Sequence, residues 1–197
     1  MRFGESFGGL IPGAPGAVLG ALLRTGAALT GRQVHRLVSD QYSLWSVQQA
    51  LTSLVGLGVV ESRTVGRASV HSINEEHYAI QPLRALLDPF AALESVVRGV
   101  VGSSVDAVIL FGSVARGEAT AASDVDLVVV ALPEWDGRAE LEDMVRARFG
   151  NACDVLVFTP EEFGRLAVSG GEPVVAQILA DGVVLAGSLP QMRVGVA

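Results

Sequence analysis

Two largely apolar runs, Val105–Phe111 and Val125–Ala131, bracket a segment that opens on Gly112-Ser113 and closes on Asp124-Val125-Asp126. No other feature constrains the fold of the chain as strongly. Each run has the length of a strand, and Leu127–Ala131 is apolar enough to be a buried central one. Asp124 and Asp126 are two apart at the mouth of that strand, so their side chains emerge on one face. Carboxylates held together in this way repel each other unless a cation lies between them. Oxygen ligands favour Mg²⁺ or Mn²⁺, with water and substrate phosphates completing the shell. Gly112 follows the end of a strand, where a helix can begin. A glycine there permits close approach by a phosphate, to which Ser113 and neighbouring backbone N–H groups donate hydrogen bonds. Arg116 is placed to orient substrate phosphates or to brace the acids. Asp154 supplies a third carboxylate, at the start of the run Asp154–Phe158 and expected beside the strand that carries the pair. In a metal-assisted transfer it serves as general base on the attacking hydroxyl or as a further metal ligand.

An isolated Asp-x-Asp is common where an exposed strand begins. Here it is joined to a Gly-Ser pair upstream, to Ala115-Arg116-Gly117, to Ser123 and Leu127 on either side, and to the third acid. Over about residues 104–187 this pattern resembles the nucleotidyltransferase superfamily that includes DNA polymerase beta. The resemblance is closest to its minimal and aminoglycoside-modifying members. It implies that Ser113 binds phosphate, with Gly112 and Arg116 beside it at the nucleotide. It also implies that Asp124, Asp126 and Asp154 are the catalytic, metal-binding carboxylates. The implied reaction moves a nucleoside monophosphate from a nucleoside triphosphate, ATP foremost, onto a hydroxyl and releases pyrophosphate. Minimal members often act as antitoxins that adenylylate a helical toxin of the HEPN type, which makes such a toxin an expected partner.

The half of the chain before this region has a different pattern. Apolar residues recur at helical spacing over Ala17–Arg24, Gly31–Val38 and Ser43–Leu57, with Thr30 and Ser43 as candidate N-caps. Two strand-like runs follow, Val59–Arg63 and Ala68–Ile73, separated by a glycine-containing turn. Three short helices and a hairpin are the order of a winged helix-turn-helix, and Ala28–Asn74 resembles such domains of bacterial and archaeal regulators. The second helix of the motif enters the major groove, which makes Ser43, Trp45, Ser46, Gln48 and Gln49 candidate DNA contacts. Arg63 and Arg67 flank the hairpin turn and are candidates for phosphate or the minor groove. Such domains commonly read paired half-sites, so a homodimer is expected.

Charge separates the two halves. The chain has no lysine; residues 1–80 hold six Arg against five acids, and residues 81–197 hold eight against sixteen. The acidic second half is a poor match for a nucleic-acid backbone, while the near-neutral first half is not repelled by one. One cysteine, Cys153, lies in an apolar run and is expected to be a buried thiol. Nothing in the sequence resembles a signal peptide or a membrane span, so a soluble, cytoplasmic protein is expected.

The expected fold class is α+β, a winged helix-turn-helix domain followed by a small mixed-sheet nucleotidyltransferase domain. The expected boundaries are a flexible arm over 1–16, the winged domain over 17–80, a linker helix over 81–102 and the transferase domain over 103–197. The expected function is a metal-dependent nucleotidyltransferase fused to a DNA-binding domain, of the antitoxin kind. The competing expectation is a non-catalytic transcriptional regulator that senses nucleotide or metal through the transferase fold.

Overall fold

The computed structural model describes residues 1–102, 104–170 and 172–188. They divide into two compact units, one formed by Glu5–Pro89 and the other by Met1–Gly4 together with the chain from Phe90 onward. Among the described residues no helix is long and apolar enough to cross a membrane. Residues 103, 171 and 189–197 of the expected transferase domain lie outside the described residues.

The first unit is a winged helix-turn-helix. Helix α1 (Gly13–Thr25) is followed by a two-residue strand β1 (Leu29–Thr30), helices α2 (Gly31–Val38) and α3 (Leu44–Gly56), strands β2 (Val60–Val65) and β3 (Ala68–Ile73), and helix α4 (Ile80–Leu86). Thr30 caps α2 through a capping box with Gln33, and Ser43 caps α3 by accepting from the Ser46 N–H. These bonds satisfy N–H groups that the first helical turn leaves without partners. The hairpin closes on Gly66-Arg67, with Gly66 at a φ of 63°, a conformation that a side chain would strain. Strand β1 pairs with β3 to give the order β1-β3-β2. Val18, Leu22, Val34, Val47, Leu51, Val60 and Ile80 form the core.

Two expectations are corrected here. Residues 1–16 were expected as a loose arm on the strength of their Gly and Pro content. Instead, Phe7 is buried in the core of the first unit and Phe3 in that of the second. Burying one aromatic side chain is worth about 1.5–3 kcal/mol, which outweighs the backbone preference of flanking glycines. The expected linker helix over 81–102 is two helices, α4 and α5 (Pro89–Val100). Pro89 has no N–H to continue α4, and it disfavours helical geometry at Asp88. The two pieces serve separate cores: Ile80 belongs to the first unit, Leu93 and Val97 to the second.

In the second unit α5 leads into β4 (Val105–Phe111), the helical turn α6 (Gly112–Ala115), β5 (Val125–Ala131), α7 (Arg138–Phe149), β6 (Cys153–Phe158), α8 (Pro160–Ser169), α9 (Pro173–Asp181) and β7 (Val183–Gly187). The sheet order is β6-β5-β4-β7. β5 runs parallel to β6 and antiparallel to β4, and β7 is antiparallel to β4, so the sheet is mixed. Alternation along the strands sends Val108, Leu110, Leu127, Val129 and Val155 to one face, against Leu93, Leu141 and Val145. The other face sends Ile109, Val128 and Val130 against Phe163, Val175 and Ile178. Central strands covered on both faces must be apolar throughout, which is why the acids are confined to the strand mouths.

Candidate active site

The candidate site is assembled at one end of the two central strands and the edge strand β6. Phe111, the last residue of β4, pairs with Asp126, and Asp126 pairs in parallel register with Asp154. Direct partners in a parallel ladder point the same way, so the sheet sets Asp126 and Asp154 side by side. Asp124 sits just before β5, two residues from Asp126 and on the same side of the chain. All three expected carboxylates are therefore brought together, two of them by pairing between residues far apart in sequence.

Their charges interact. Burial pushes the Asp126 carboxyl above the ordinary aspartate range; the Asp154 and Asp124 carboxylates add to the rise, and Arg116 opposes it. Arg116 is thus near enough to favour the ionised form of Asp126. Its Nε donates to Glu118 Oε2 at 2.8 Å. Asp124 and Asp154 are exposed and Asp126 is half-buried, so an approaching ligand can reach the cluster.

Gly112 is where backbone and carboxylate meet. Its φ is 72°, and a Cβ built there would collide with the Asp126 carboxylate. Glycine thus serves twice, by accepting the left-handed backbone and by leaving Asp126 its space. Ser113 follows in the first turn of α6, half-buried, and its carbonyl accepts from the Glu118 N–H at 2.9 Å. Among the described residues no group of three or more His, Cys, Asp or Glu side chains is drawn closely enough to hold a metal ion as it stands. The donor set nonetheless suits a hard divalent cation, being all carboxylate oxygen and mutually repulsive. Cys153 is buried beside the acids, and burial, with Glu142 and Asp154 next to it, pushes its thiol up to about 12. It stays protonated and apolar in behaviour, as the sequence led one to expect.

The expected DNA contacts are divided by the structure. Trp45 is 69% exposed, and Gln48 and Gln49 on α3 and the N-cap Ser43 that precedes it are exposed too. Ser43 and Ser46 are joined hydroxyl to hydroxyl at 3.0 Å, which ties part of their bonding capacity to the helix cap. Gln48 and Arg67 line a cleft of about 770 Å³ between the helices and the hairpin, together with Thr30, Arg32, Thr52 and His71. Arg63 does not join them. Ser62 pairs with His71 and Arg63 with Val70, so Arg63 lies on the opposite face of the hairpin, where it is ion-paired to Glu61 at 2.9 Å. Among the described residues Arg32 and Arg67 make no ion pair. Arg32 escaped sequence reasoning because its place in the first turn of α2 becomes meaningful once the hairpin folds back beside it. His71 presents a buried Nδ1 without a partner, and burial lowers its imidazole pKa.

No curated protein matches the chain. Among solved structures the chain is similar to a toxin–antitoxin with AMP-PNP, at 20% identity over 50% of this chain and 73% of that one, with a TM-score of 0.38. It is also similar to the toxin–antitoxin MntA–HepT, at 18% identity over 52% and 74% and a TM-score of 0.34. A third is a tri-AMPylated Shewanella oneidensis HEPN toxin in complex with MNT antitoxin, at 18% identity over 50% and 73% and a TM-score of 0.34. Residues 100–187 match the family model described as polymerase beta, nucleotidyltransferase. The matched region lies within the second unit and contains every residue of the candidate site, from Gly112 to Asp154.

Proposed function

We propose that the protein is an active, metal-dependent nucleotidyltransferase whose acceptor is a hydroxyl on another protein, and that its winged unit binds duplex DNA. The observation that carries the first part is the convergence of Asp124, Asp126 and Asp154 beside a glycine that leaves room for them. Asp124 and Asp126 would hold Mg²⁺ or Mn²⁺, with Asp154 as third ligand or as general base. The cation would neutralise the carboxylates and the triphosphate and stabilise charge on the leaving oxygen. Gly112 and the α6 backbone would receive the phosphates of a nucleoside triphosphate, ATP foremost, with Ser113 donating to them. The acceptor oxygen attacks the α-phosphorus. Its new O–P bond forms as the bond from that phosphorus to the β-phosphate oxygen breaks; pyrophosphate leaves, and Asp154 takes the hydroxyl proton. The acidic balance of residues 81–197 disfavours an RNA acceptor. A helical toxin of the HEPN type is the protein acceptor that the minimal-family resemblance names, and the pairing of the two would make this chain an antitoxin.

The test is incubation with Mg²⁺ and each α-³²P-labelled nucleoside triphosphate, alone and with cell lysate, followed by gel autoradiography. A labelled protein band is expected with the parent and none with Asp124→Asn. Nucleotide binding without any label would instead support a regulator that senses nucleotide.

For the winged unit the supporting observation is the cleft with two unpaired arginines, Arg32 and Arg67. Arg32→Ala and Arg67→Ala are each expected to weaken duplex binding and to lower the slope of log affinity against log salt by about 1. Arg63→Ala, on the far face, is expected to change affinity less than about twofold, since an exposed paired charge contributes little. Salt titrations by fluorescence anisotropy check all three, and equal slopes for parent and both cleft variants would remove the cleft from the DNA interface.

A further inference from the structure

Among the described residues of the second unit Asn151 is the one buried polar side chain, 3% exposed. It stands in the short connection between α7 and β6, three residues ahead of Asp154. Its Nδ2 donates to the carbonyl of Ser123 at 2.9 Å and to that of Met1 at 3.2 Å, while its Oδ1 accepts from the Met1 ammonium group. Ser123 immediately precedes Asp124. Two residues on from Ser123 and one on from Asn151, the Val125 N–H donates to the Ala152 carbonyl at 2.9 Å. Two adjacent bonds thus join the loop that delivers Asp124 to the loop that delivers Asp154. On the Ser123 side the loop has its own bracing, since the Thr120 N–H donates to Ser123 Oγ at 2.9 Å.

A buried carboxamide is costly unless both its ends are satisfied, and here both are. An apolar residue would fill this space at least as cheaply, but it would leave the Ser123 carbonyl without its side-chain partner. Carboxylates that repel one another drift apart unless their backbones are tied, and the sheet ties Asp126 to Asp154 without reaching Asp124. We propose that Asn151 is a positioning residue, which fixes the Asp124 loop against the start of β6 and so sets the spacing of the three carboxylates. Asn151 touches none of the reacting groups and acts through the Ser123 carbonyl. The inference rests on the reading that the three acids work as one site.

The experiment compares the parent with Asn151→Asp, which keeps the side-chain volume and loses the donor, and with Asn151→Leu, which loses both ends. Val145→Ala, a cavity in the same core, controls for lost stability. Three quantities are read: Mn²⁺ affinity by electron paramagnetic resonance, amide hydrogen exchange at Val125 and Asp126, and the steady-state constants for label transfer. Both Asn151 variants are expected to bind Mn²⁺ about tenfold more weakly, as is usual when a supporting partner of a metal ligand is removed. Exchange at the two amides is expected to quicken by a similar factor, and kcat to fall about tenfold with KM for the nucleotide within threefold. Val145→Ala is expected to melt earlier and otherwise to match the parent. Unchanged Mn²⁺ affinity and exchange in both Asn151 variants would overturn the proposal, as would equal losses in Val145→Ala. If the parent neither binds Mn²⁺ nor transfers label, the reading of the site fails; exchange at Val125 and Asp126 then decides the clamp alone.

Discussion

At neutral pH Asp126→Asn is expected to melt at a higher temperature than the parent while losing transfer activity. Both effects come from one cause. Burial and the neighbouring Asp154 and Asp124 carboxylates hold the Asp126 carboxyl above its ordinary range, so its ionised form is disfavoured in the folded protein. The folded state then binds more protons than the unfolded one between the ordinary aspartate value and the raised one. Stability falls as pH rises through that window, and the full penalty persists above it. An uncharged, equally sized amide removes the penalty. The advantage of the variant should shrink as pH drops into the window and vanish below it, where the parent is protonated in both states. Mg²⁺ should narrow the gap from the other side by neutralising the parent's carboxylates. Activity should fall by more than about 100-fold, beyond the 10- to 100-fold that losing a supporting partner costs, because a proposed metal ligand is removed. Melting curves across the acid range, with label transfer at pH 7, check the prediction. A variant less stable than the parent at neutral pH would contradict it.

Gly112→Ala is expected to damage both stability and transfer. At a φ of 72° a side chain is strained wherever it points, at a cost of about 1 kcal/mol or more. The added methyl also has nowhere to go, because it would run into the Asp126 carboxylate, with Cγ at 3.0 Å. Either the turn or the acid must move. A displacement of about 1 Å at a reacting group can cost about 100-fold in rate, so kcat should fall by that order. Gly117→Ala provides the comparison, since Gly117 has the same φ of 72° and nothing within 4 Å of the added methyl. It should share the loss of stability and keep most of the activity. Similar kcat values for the two variants would mean that the space at Gly112 does not matter to the site.

Much of this arrangement could be read from residues in order along the chain. Thr30 and Ser43 announced the starts of α2 and α3, because a capping side chain bonds to N–H groups a few residues away. Gly112-Ser113 and Asp124-Val125-Asp126 are likewise local patterns, whose meaning depends on one turn and one strand. The misreadings share a different character. Strand β1 is two residues long and exists through its pairing with β3, which no local pattern reports. The helical period across Asp88-Pro89 continued because both pieces are amphipathic, although each faces its own core. Phe3 and Phe7 were overlooked among glycines because local backbone freedom says nothing about what an aromatic ring will find to pack against.

The site divides along the same line. That three acids, a glycine turn and a serine were available for metal-assisted chemistry followed from their types and spacing, since those properties survive in any extended chain. That Asp154 stands beside Asp126 and that Asn151 ties two loops together depended on parallel pairing between β5 and β6. The same holds for the cleft, where Arg32 and Arg67 meet because the hairpin folds back past α2, and Arg63 is excluded because neighbours on a strand face opposite ways. Residue type and short-range spacing specify which chemistry a chain can offer. Register between distant segments specifies which groups share a place, because cooperative packing of the whole core, rather than any local preference, selects it.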